Sequence, residues 1–188
     1  MDLPWLALQS VPHLFLMAIV AVNEPNGFST RRLAVNTIKS VRTDYYLNFI
    51  KDDPVRPHLP TFWRVDPNRE VFVLEDDETN EVLAVICAAF CNQIPTDEGE
   101  LEKFSTPVSA SDPIGEIVVF YTVWSYRPGA GRELVLGAAK LIKDTMPVKR
   151  FVTLSPQTEM ARKFHLRNGA VVLQVNTTSV NYEYVFNE

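Results

Sequence analysis

The 188-residue chain contains only two cysteines and three histidines, and this scarcity restricts the sites it can build. Cys87 and Cys91 lie in one apolar run. On a β-strand their Cα atoms would be roughly 13 Å apart, too far for a disulfide bond, so we expect reduced thiols and a cytoplasmic protein. The histidines, His13, His58 and His165, are scattered, and no cysteine pair has the spacing of metal ligands, so we expect no metal site.

Basic residues are also in short supply. The chain has 18 lysines and arginines against 23 aspartates and glutamates, a formal net charge of −5. Domains that bind nucleic acid usually carry an excess of basic residues, so we expect no nucleic-acid partner. The small negative charge is compatible with a cationic small molecule or a basic protein surface as partner.

A long uninterrupted apolar run is missing too. Residues 3–22 contain no charged side chain, but polar residues and prolines divide them and leave only residues 14–22 as an apolar run, which is too short to cross a bilayer. Asp2 stands where a signal peptide would carry positive charge. We therefore expect one or two buried helices in this segment and no membrane association.

Hydrophobic periodicity and turn residues predict an α/β fold with a mixed sheet. The predicted helices are 29–51, 132–146 and a third that begins at Ser155-Pro156 and ends before Gly169. The predicted strands are 70–75, 82–90, 117–124, 150–154, 171–175 and 181–186. Two irregular segments are expected, a proline-rich connection over 54–69 and a polar loop over 92–115. We predict a single domain over 1–188, with a helical part over 1–69 and a core over 70–188.

Glycine is scarce as well, and two of the seven glycines stand one residue apart in the stretch SYRPGAGREL, residues 125–134. A Walker loop ends in Gly-Lys-Ser/Thr, but Gly131 is followed by Arg132 and Glu133. A dinucleotide fingerprint has a third glycine three residues after the second, but that position is Leu134. The stretch is therefore either a plain tight turn or a loop whose amides converge on an anion at a helix N-terminus.

The composition of the loop is compatible with an anion site. Gly129 and Gly131 would allow a ligand to approach the backbone without a Cβ in the way. Arg127 and Arg132 would add positive charge for a pyrophosphate.

Three segments follow one another in a recognisable order: FVLEDDETNEVLAVICAAF (72–90), GEIVVFYTVWSYRPGAGRELVLGAAKLI (115–142) and FVTLSPQTEMARKFHLRNGAVV (151–172). Over residues 70–169 they resemble the GNAT superfamily of CoA-dependent N-acetyltransferases. The segments match its second and third strands, its fourth strand with the pyrophosphate loop and third helix, and its fifth strand with the fourth helix. The resemblance implies a GNAT-like fold, with a central mixed sheet of about six to seven strands flanked by helices, and acetyl-CoA as acyl donor without a metal.

The resemblance also implies where the coenzyme would bind. The amides of Gly129, Ala130, Gly131 and Arg132 would hold the CoA pyrophosphate, and the end of the fourth strand, at Tyr121, Thr122 and Val123, would pair with the pantetheine arm. The family pattern Gln/Arg-x-x-Gly-x-Gly/Ala places Tyr126 at its first position, with the arginine one place late at Arg127. Thr158 stands where the family has an asparagine.

Two residues are candidates for proton transfer. Glu116, at the start of the fourth strand, stands near the place of a general base in the histone-acetylating branch, although a glutamate there is commonly just exposed to solvent. His165 replaces the tyrosine that serves as acid toward the CoA sulfur. Histidine also donates protons near neutral pH, but the substitution is equally compatible with a step that needs no protein acid, and a third alternative is a core histidine beside Ala161.

Two functions remain open from the sequence. The first is an N-acyltransferase that moves the acetyl group of acetyl-CoA directly to a primary amine of a small molecule or protein. The second is a non-catalytic interaction or assembly module that keeps the fold, with or without CoA binding. The segment FVTLSP…FHLRNGA also resembles acetyltransferase-like proteins encoded by bacteriophages, which would place the protein in the host cytoplasm.

Overall fold

The computed structural model describes residues 35–109 and 112–186 of the chain. These residues belong to one compact unit, Ala34–Glu188. The helices expected within 3–22, and the start of the helix expected over 29–51, lie outside the described residues. Within the described part, no helix is long and apolar enough to cross a membrane.

The described residues form five α-helices and eight β-strands, with a 3-10 turn at Asn48–Asp52. The strands are β1 (Asn36–Val41), β2 (Arg69–Asp76), β3 (Val82–Cys91), β4 (Ile117–Ser125), β5 (Arg150–Thr153), β6 (Ser155–Pro156), β7 (Ala170–Val175) and β8 (Ser179–Tyr184). The helices are α1 (Asp44–Leu47), α2 (Thr61–Arg64), α3 (Glu98–Ser105), α4 (Ala130–Thr145) and α5 (Glu159–Arg167).

All eight strands join one mixed sheet, in the order β1-β2-β3-β4-β5-β8-β6, with β7 paired to β8. Every pairing is antiparallel except that of β4 with β5. Each residue of β3 is buried, as its continuous apolar run predicts for a strand covered on both faces. The mixed α/β fold predicted from the sequence is confirmed, and β1 and the short β6 make the sheet larger than predicted.

The two faces of the sheet carry separate apolar layers. The first layer packs α4 residues such as Leu134, Ala138 and Ile142 against Phe72 and Phe120 of the sheet. The second layer packs α2 and α3 against the other face. Buried cysteines Cys87 and Cys91 belong to the second layer, and both are free thiols.

The helix predicted over 29–51 is wrong at residues 36–41, which form β1. The apolar residues Ile38 and Val41 are spaced for one helical face, but in a strand they point to opposite faces. Ile38 packs against the first apolar layer and Val41 belongs to the second. The strand passes so close to α4 that a Cβ on Gly137 would collide with the Ile38 side chain.

Two segments after β3 also differ from the prediction. The polar segment 92–115 contains α3, whose first turn is capped by Asp97: its side chain accepts a hydrogen bond from the amide of Glu100. The pair Ser155-Pro156 does not open a helix but forms β6, and α5 begins later, after Thr158. The C-terminal glycine is as predicted, since Gly169 follows α5 with a positive φ of 87°.

Candidate functional site

A cavity of about 600 Å³ lies where β4 runs into α4 and α5 passes beside it. Ser125, Gly129 and Gly131 line it from the strand–helix turn, and Lys163 and Phe164 line it from α5. We call it the loop cavity. It contains the part of SYRPGAGREL that the sequence marked as an anion site.

The first turn of α4 presents unpaired amides at the loop cavity. Gly129 is the residue before the helix and has a left-handed backbone, φ 86° and ψ −25°. The amide of Ala130 donates to Arg127 O at 3.2 Å, and the amide of Glu133 donates to Gly129 O at 3.1 Å. Within the described residues, the amides of Gly131 and Arg132 donate to no backbone carbonyl, so two donors remain at the positive end of a 16-residue helix.

The side chains around this helix start are mostly cationic. Arg132, Lys163 and Arg167 line the loop cavity, and Glu159 is the single acidic residue on its wall. Lys163 Nζ lies 3.5 Å from Glu159 Oε1. Within the described part of the chain, Arg132 and Arg167 make no ion pair with a carboxylate. The arrangement is suited to a ligand with more than one negative charge.

Gly131 leaves room at the cavity wall. A Cβ on this residue would lie 3.5 Å from Ser125 Oγ and 3.7 Å from Phe164 Cε2, which are ordinary van der Waals distances. Gly131 is buried, and a small side chain at this position would fit without a collision.

Two residues predicted to bind the cofactor point elsewhere. Arg127 Nη1 lies 3.5 Å from Asp76 Oδ2, and Arg127 Nη2 lies 3.5 Å from Asn36 Oδ1, so its side chain reaches toward β1 and β2. Thr158 caps α5, because its hydroxyl accepts a hydrogen bond from the amide of Ala161 at 3.2 Å. Neither residue lines the loop cavity.

The strands β4 and β5 separate before β4 reaches the loop cavity at Ser125. Their pairing ends at Phe120 and Thr153, and the amide of Leu154 makes a last hydrogen bond to Phe120 O at 3.1 Å. The register between β3 and β4 shifts at the same level, between Cys87 and Ala88, as in a β-bulge. Tyr121, Thr122 and Val123 therefore line one side of a gap in the sheet that β5 leaves open.

A buried polar cluster fills this gap from the second layer. Arg56, with a side chain only 6% exposed, donates from Nη1 to Tyr121 O and from Nη2 to Leu154 O at 3.0 Å. Asp53 accepts from the hydroxyl of Thr122 at 2.8 Å and pairs with Arg64 Nη1 at 2.7 Å. The loop that contains Asp53 and Arg56 is thus fixed to both separated strands.

The pKa of Asp53 reflects this environment. Burial by itself raises the pKa of the carboxyl, but hydrogen bonds from the amides of Arg56 and Val55, from Thr122 and from Arg64 outweigh the burial and lower it below its ordinary value. Asp53 is therefore a carboxylate in the folded protein.

A second cavity, of about 440 Å³, lies next to this cluster. Its walls include Arg56, Leu154 and the start of α3 with Asp97 and Glu98. Glu98 pairs with Arg56, with 2.9 Å between Oε1 and Arg56 Nε, and its Oε2 lies 2.7 Å from His58 Nε2. We call it the acidic cavity, because two carboxylates and one guanidinium line it.

Glu116 is not brought to either cavity. Its side chain is 58% exposed and its carboxylate contacts Lys149 Nζ at 2.7 Å and 2.8 Å. It precedes β4, at the end of the strand opposite to the glycine turn. The base role assigned to it remains a prediction, and the geometry offers it no contact with the loop cavity.

His165 is buried within a chain of hydrogen bonds. Its Nε2 lies 2.8 Å from Ser155 Oγ and its Nδ1 lies 2.9 Å from the Tyr184 hydroxyl, while the ring stacks on Tyr182. Burial lowers the pKa of the imidazole to about 4, so the ring is neutral at pH 7. Of the three alternatives from the sequence, this environment is that of a core histidine.

Sequence reasoning missed the residues that occupy the gap. Asp53 was assigned to the end of a helix, and Arg56 and Arg64 fell in the proline-rich segment 54–69 without a role. Their only signal is the density of charged residues in a segment with several prolines, which does not identify a buried cluster.

No protein-family model matches the chain, and no curated protein sequence matches it. Solved structures do match. Malonyl-CoA decarboxylase from Agrobacterium vitis superposes with a TM-score of 0.65 at 16% identity, covering 80% of this chain and 60% of the decarboxylase. The chain thus spans about 60% of the length of that protein.

Two further matching structures are similar in size to this chain. NAA60 of Arabidopsis thaliana in complex with acetyl-CoA has a TM-score of 0.55 at 13% identity, covering 80% of this chain and 98% of NAA60. N-acetyltransferase PseH of Campylobacter jejuni has a TM-score of 0.50 at 12% identity, covering 79% of this chain and 96% of PseH.

The chain has a GNAT-like fold. Within the GNAT-like fold, the expected pyrophosphate loop corresponds to the turn from β4 into α4, and the expected pantetheine position corresponds to the gap between β4 and β5. Among the described residues, no group of three or more histidines, cysteines, aspartates or glutamates is arranged to hold a metal ion. An origin in a bacteriophage remains a prediction.

Proposed function

We propose that the protein is a CoA-dependent N-acyltransferase that moves the acetyl group of acetyl-CoA to a primary amine. The observation that carries the proposal is the pair of unpaired amides, Gly131 and Arg132, which open on a cation-lined cavity at the start of α4. In a GNAT-like fold this is the place expected for the coenzyme's diphosphate.

The loop cavity supplies the coenzyme's anchor. The amides of Gly131 and Arg132 would each donate to a diphosphate oxygen, and the dipole of α4 favours negative charge at the same point. The guanidinium groups of Arg132 and Arg167 would neutralise further charge on the nucleotide.

The acidic cavity is the proposed acceptor site. An acceptor amine is mostly an ammonium ion at neutral pH, and Asp97 and Glu98 provide carboxylates for a cation. Glu98 is 41% exposed, so an incoming ligand has access to it. The acceptor would then lie on the face of the sheet opposite to the loop cavity, because Leu154 belongs to the second layer and Phe164 packs on the first.

Acyl transfer joins the amine nitrogen to the acetyl carbon and breaks the carbon–sulfur bond. The ammonium group gives up two protons in total, one of which ends on the thiol and one in solvent. Glu98 would hold the ammonium group and receive its first proton. Neutral His165, with both ring nitrogens in hydrogen bonds, has no proton to deliver to the sulfur without breaking its contact with Ser155 or Tyr184.

The placement of Glu116 and His165 favours a second candidate, a non-catalytic module that still binds CoA. Glu116 forms an exposed ion pair with Lys149, and His165 is enclosed in the core. The two side chains expected to move protons therefore do not meet at either cavity. Turnover, rather than binding, distinguishes the two functions.

The decisive experiment measures binding and turnover in parallel. For binding, acetyl-CoA and malonyl-CoA are each titrated into the protein. For turnover, the protein and each thioester are incubated with polyamines, amino acids and peptides while the release of free thiol is recorded. Thiol release that depends on an amine supports the acyltransferase; binding without release on any acceptor supports the module. Thiol release from malonyl-CoA alone, or a change of malonyl-CoA to acetyl-CoA, would contradict both.

Gly131→Asp tests the anchor itself. The new carboxylate would lie at the free amides and repel the diphosphate, so we expect acetyl-CoA affinity to fall by about 100-fold or more. Gly131→Ala is the matched control, because its methyl group meets only ordinary contacts at 3.5 Å or more, and it should keep most of the affinity. Equal affinities of wild-type and Gly131→Asp would remove the loop from the binding site.

A further inference from the structure

Within the buried cluster at the gap between β4 and β5, Arg56 is the side chain that bonds to both strands. Arg56 reaches the gap from the loop on the second layer and donates to the carbonyls of Tyr121 and Leu154, one on each separated strand. These carbonyls stand just beyond the point where the β4–β5 pairing ends. The guanidinium thus replaces the ladder hydrogen bonds that the strands no longer make with each other.

Arg56 also has partners outside the two strands. Its Nε lies 2.9 Å from Glu98 Oε1, its amide donates to Asp53 Oδ1 at 3.1 Å, and its carbonyl accepts from Arg64. A buried arginine with this many partners occupies its position stably. It lines the acidic cavity, and β4 continues from Tyr121, whose carbonyl Arg56 binds, to Ser125 on the wall of the loop cavity.

The proposed donor has to pass this point. If the diphosphate is held at Gly131 and Arg132 and the amine waits in the acidic cavity, the acyl-bearing arm has to run through the gap between the strands. The arm carries two amide groups, whose N–H donors need acceptors there, and the acceptors at the gap are those that Arg56 uses.

We propose that Arg56 is a gating residue that closes the β4–β5 gap and has to leave Tyr121 O and Leu154 O before the acyl-bearing arm of the coenzyme can enter. The inference rests on the proposed function, because it needs a ligand that is anchored in the loop cavity. The nucleotide end binds outside the gap, so the gate acts on the arm alone.

The test compares two ligands that share the nucleotide but differ in the arm. Adenosine 3′,5′-bisphosphate has the nucleotide end only, and acetyl-CoA has the arm as well. Both are titrated by calorimetry into the wild-type chain and into Arg56→Met, which fills similar volume without donors. Arg69→Met is the matched control, since Arg69 is also buried and hydrogen-bonded on the second layer, at Ser105 and Thr106, away from the gap.

We expect the wild-type protein to bind acetyl-CoA no more than about threefold more tightly than the bisphosphate. Arg56→Met should strengthen acetyl-CoA binding about tenfold or more, because the arm no longer displaces charge-assisted hydrogen bonds, and should leave bisphosphate binding unchanged. Arg69→Met should leave the affinities for acetyl-CoA and for the bisphosphate in their wild-type ratio. Arg56→Lys, which keeps the charge but lacks the planar fork, gives an intermediate ratio and serves if the methionine variant does not fold.

Three results would overturn the proposal. If the bisphosphate binds and the affinity for acetyl-CoA is the same in the wild-type protein and in the Arg56 variants, Arg56 is not a gate, and the proposed function is unaffected. Weaker acetyl-CoA binding in Arg56→Met would mean that the arginine holds the arm instead of excluding it. Failure of both ligands to bind the wild-type chain would remove the proposed function and the gate together.

Discussion

Replacing Asp53 by asparagine removes one negative charge from the buried cluster behind the β4–β5 gap. The side chains of Asp53 and Arg64 are both 0% exposed and lie 2.7 Å apart. Asparagine keeps one oxygen for Thr122 and the loop amides but leaves the Arg64 guanidinium buried without a counter-charge. Breaking a buried pair in this way costs about 3–5 kcal/mol.

The expected loss is measurable by denaturation. In a chain of this length each kcal/mol shifts the melting temperature by about 2–4 °C, so Asp53→Asn should melt roughly 6–20 °C below wild-type. Urea unfolding followed by circular dichroism gives the free energy directly. A variant within about 1 kcal/mol of wild-type would show that the pair does not hold the loop, and the argument from buried charge would fail.

The same variant tests the pKa of Asp53. The folded pKa lies below the ordinary value of 3.8, so the stability that Asp53 contributes is present above that pH and is lost as the pH falls through the folded pKa. Wild-type and Asp53→Asn should therefore converge in stability below about pH 3.8. A constant difference down to pH 2 would contradict a lowered pKa.

Two further predictions concern the residues assigned to proton transfer. Burial lowers the pKa of His165 to about 4, so the folded protein protonates this imidazole less readily than the unfolded chain does. The free energy of unfolding should therefore fall on the order of 3 kcal/mol between pH 6.5 and pH 4. A His165→Gln variant whose stability falls equally over this window would refute the lowered pKa of His165. Glu116→Gln should change stability by less than about 1 kcal/mol, because its pair with Lys149 is exposed. It should also leave the pH dependence of turnover unchanged, because Glu116 lines neither cavity and its carboxylate contacts Lys149; a shifted profile would support Glu116 as the base.

The sequence predicted the centre of the fold well because its signals there are local. The hairpin of β2 and β3 has continuous apolar strands around a polar turn, and α4 has a clear apolar stripe. The N-terminal part failed for a physical reason. Ile38 and Val41 are three residues apart, which fits a helix face, but β1 uses them on opposite faces of the sheet.

The helix α3 was missed although a signal was present. It is polar and buries few residues, among them Leu101, so hydrophobic periodicity is weak. The spacing of Asp97 and Glu100 is that of a capping box, and Glu100 N donates to the Asp97 side chain as such a box requires. The Glu100 carboxylate accepts from the amide and hydroxyl of Thr96, one residue before the cap. Capping residues therefore carried more information here than periodicity did.

The candidate site could be predicted only where one segment builds it. The strand–turn–helix around Gly129 and Gly131 is contiguous, and the structure opens a cavity there as the loop composition indicates. The gap cluster joins Asp53, Arg56 and Arg64 to carbonyls 65 and 98 residues away from Arg56, at Tyr121 and Leu154. Such contacts depend on tertiary structure and leave no periodic trace in the chain.

The most direct measurement of the central claim is a titration of ¹⁵N-labelled protein with acetyl-CoA, followed amide by amide in NMR spectra. The account predicts that the amide signals of Gly131 and Arg132 move most, because their N–H groups gain diphosphate acceptors, while the amide of Gly137, inside the same helix, stays in place. Shifts that spare Gly131 and Arg132, or no shifts at millimolar acetyl-CoA, would contradict the proposal that these two amides bind the coenzyme.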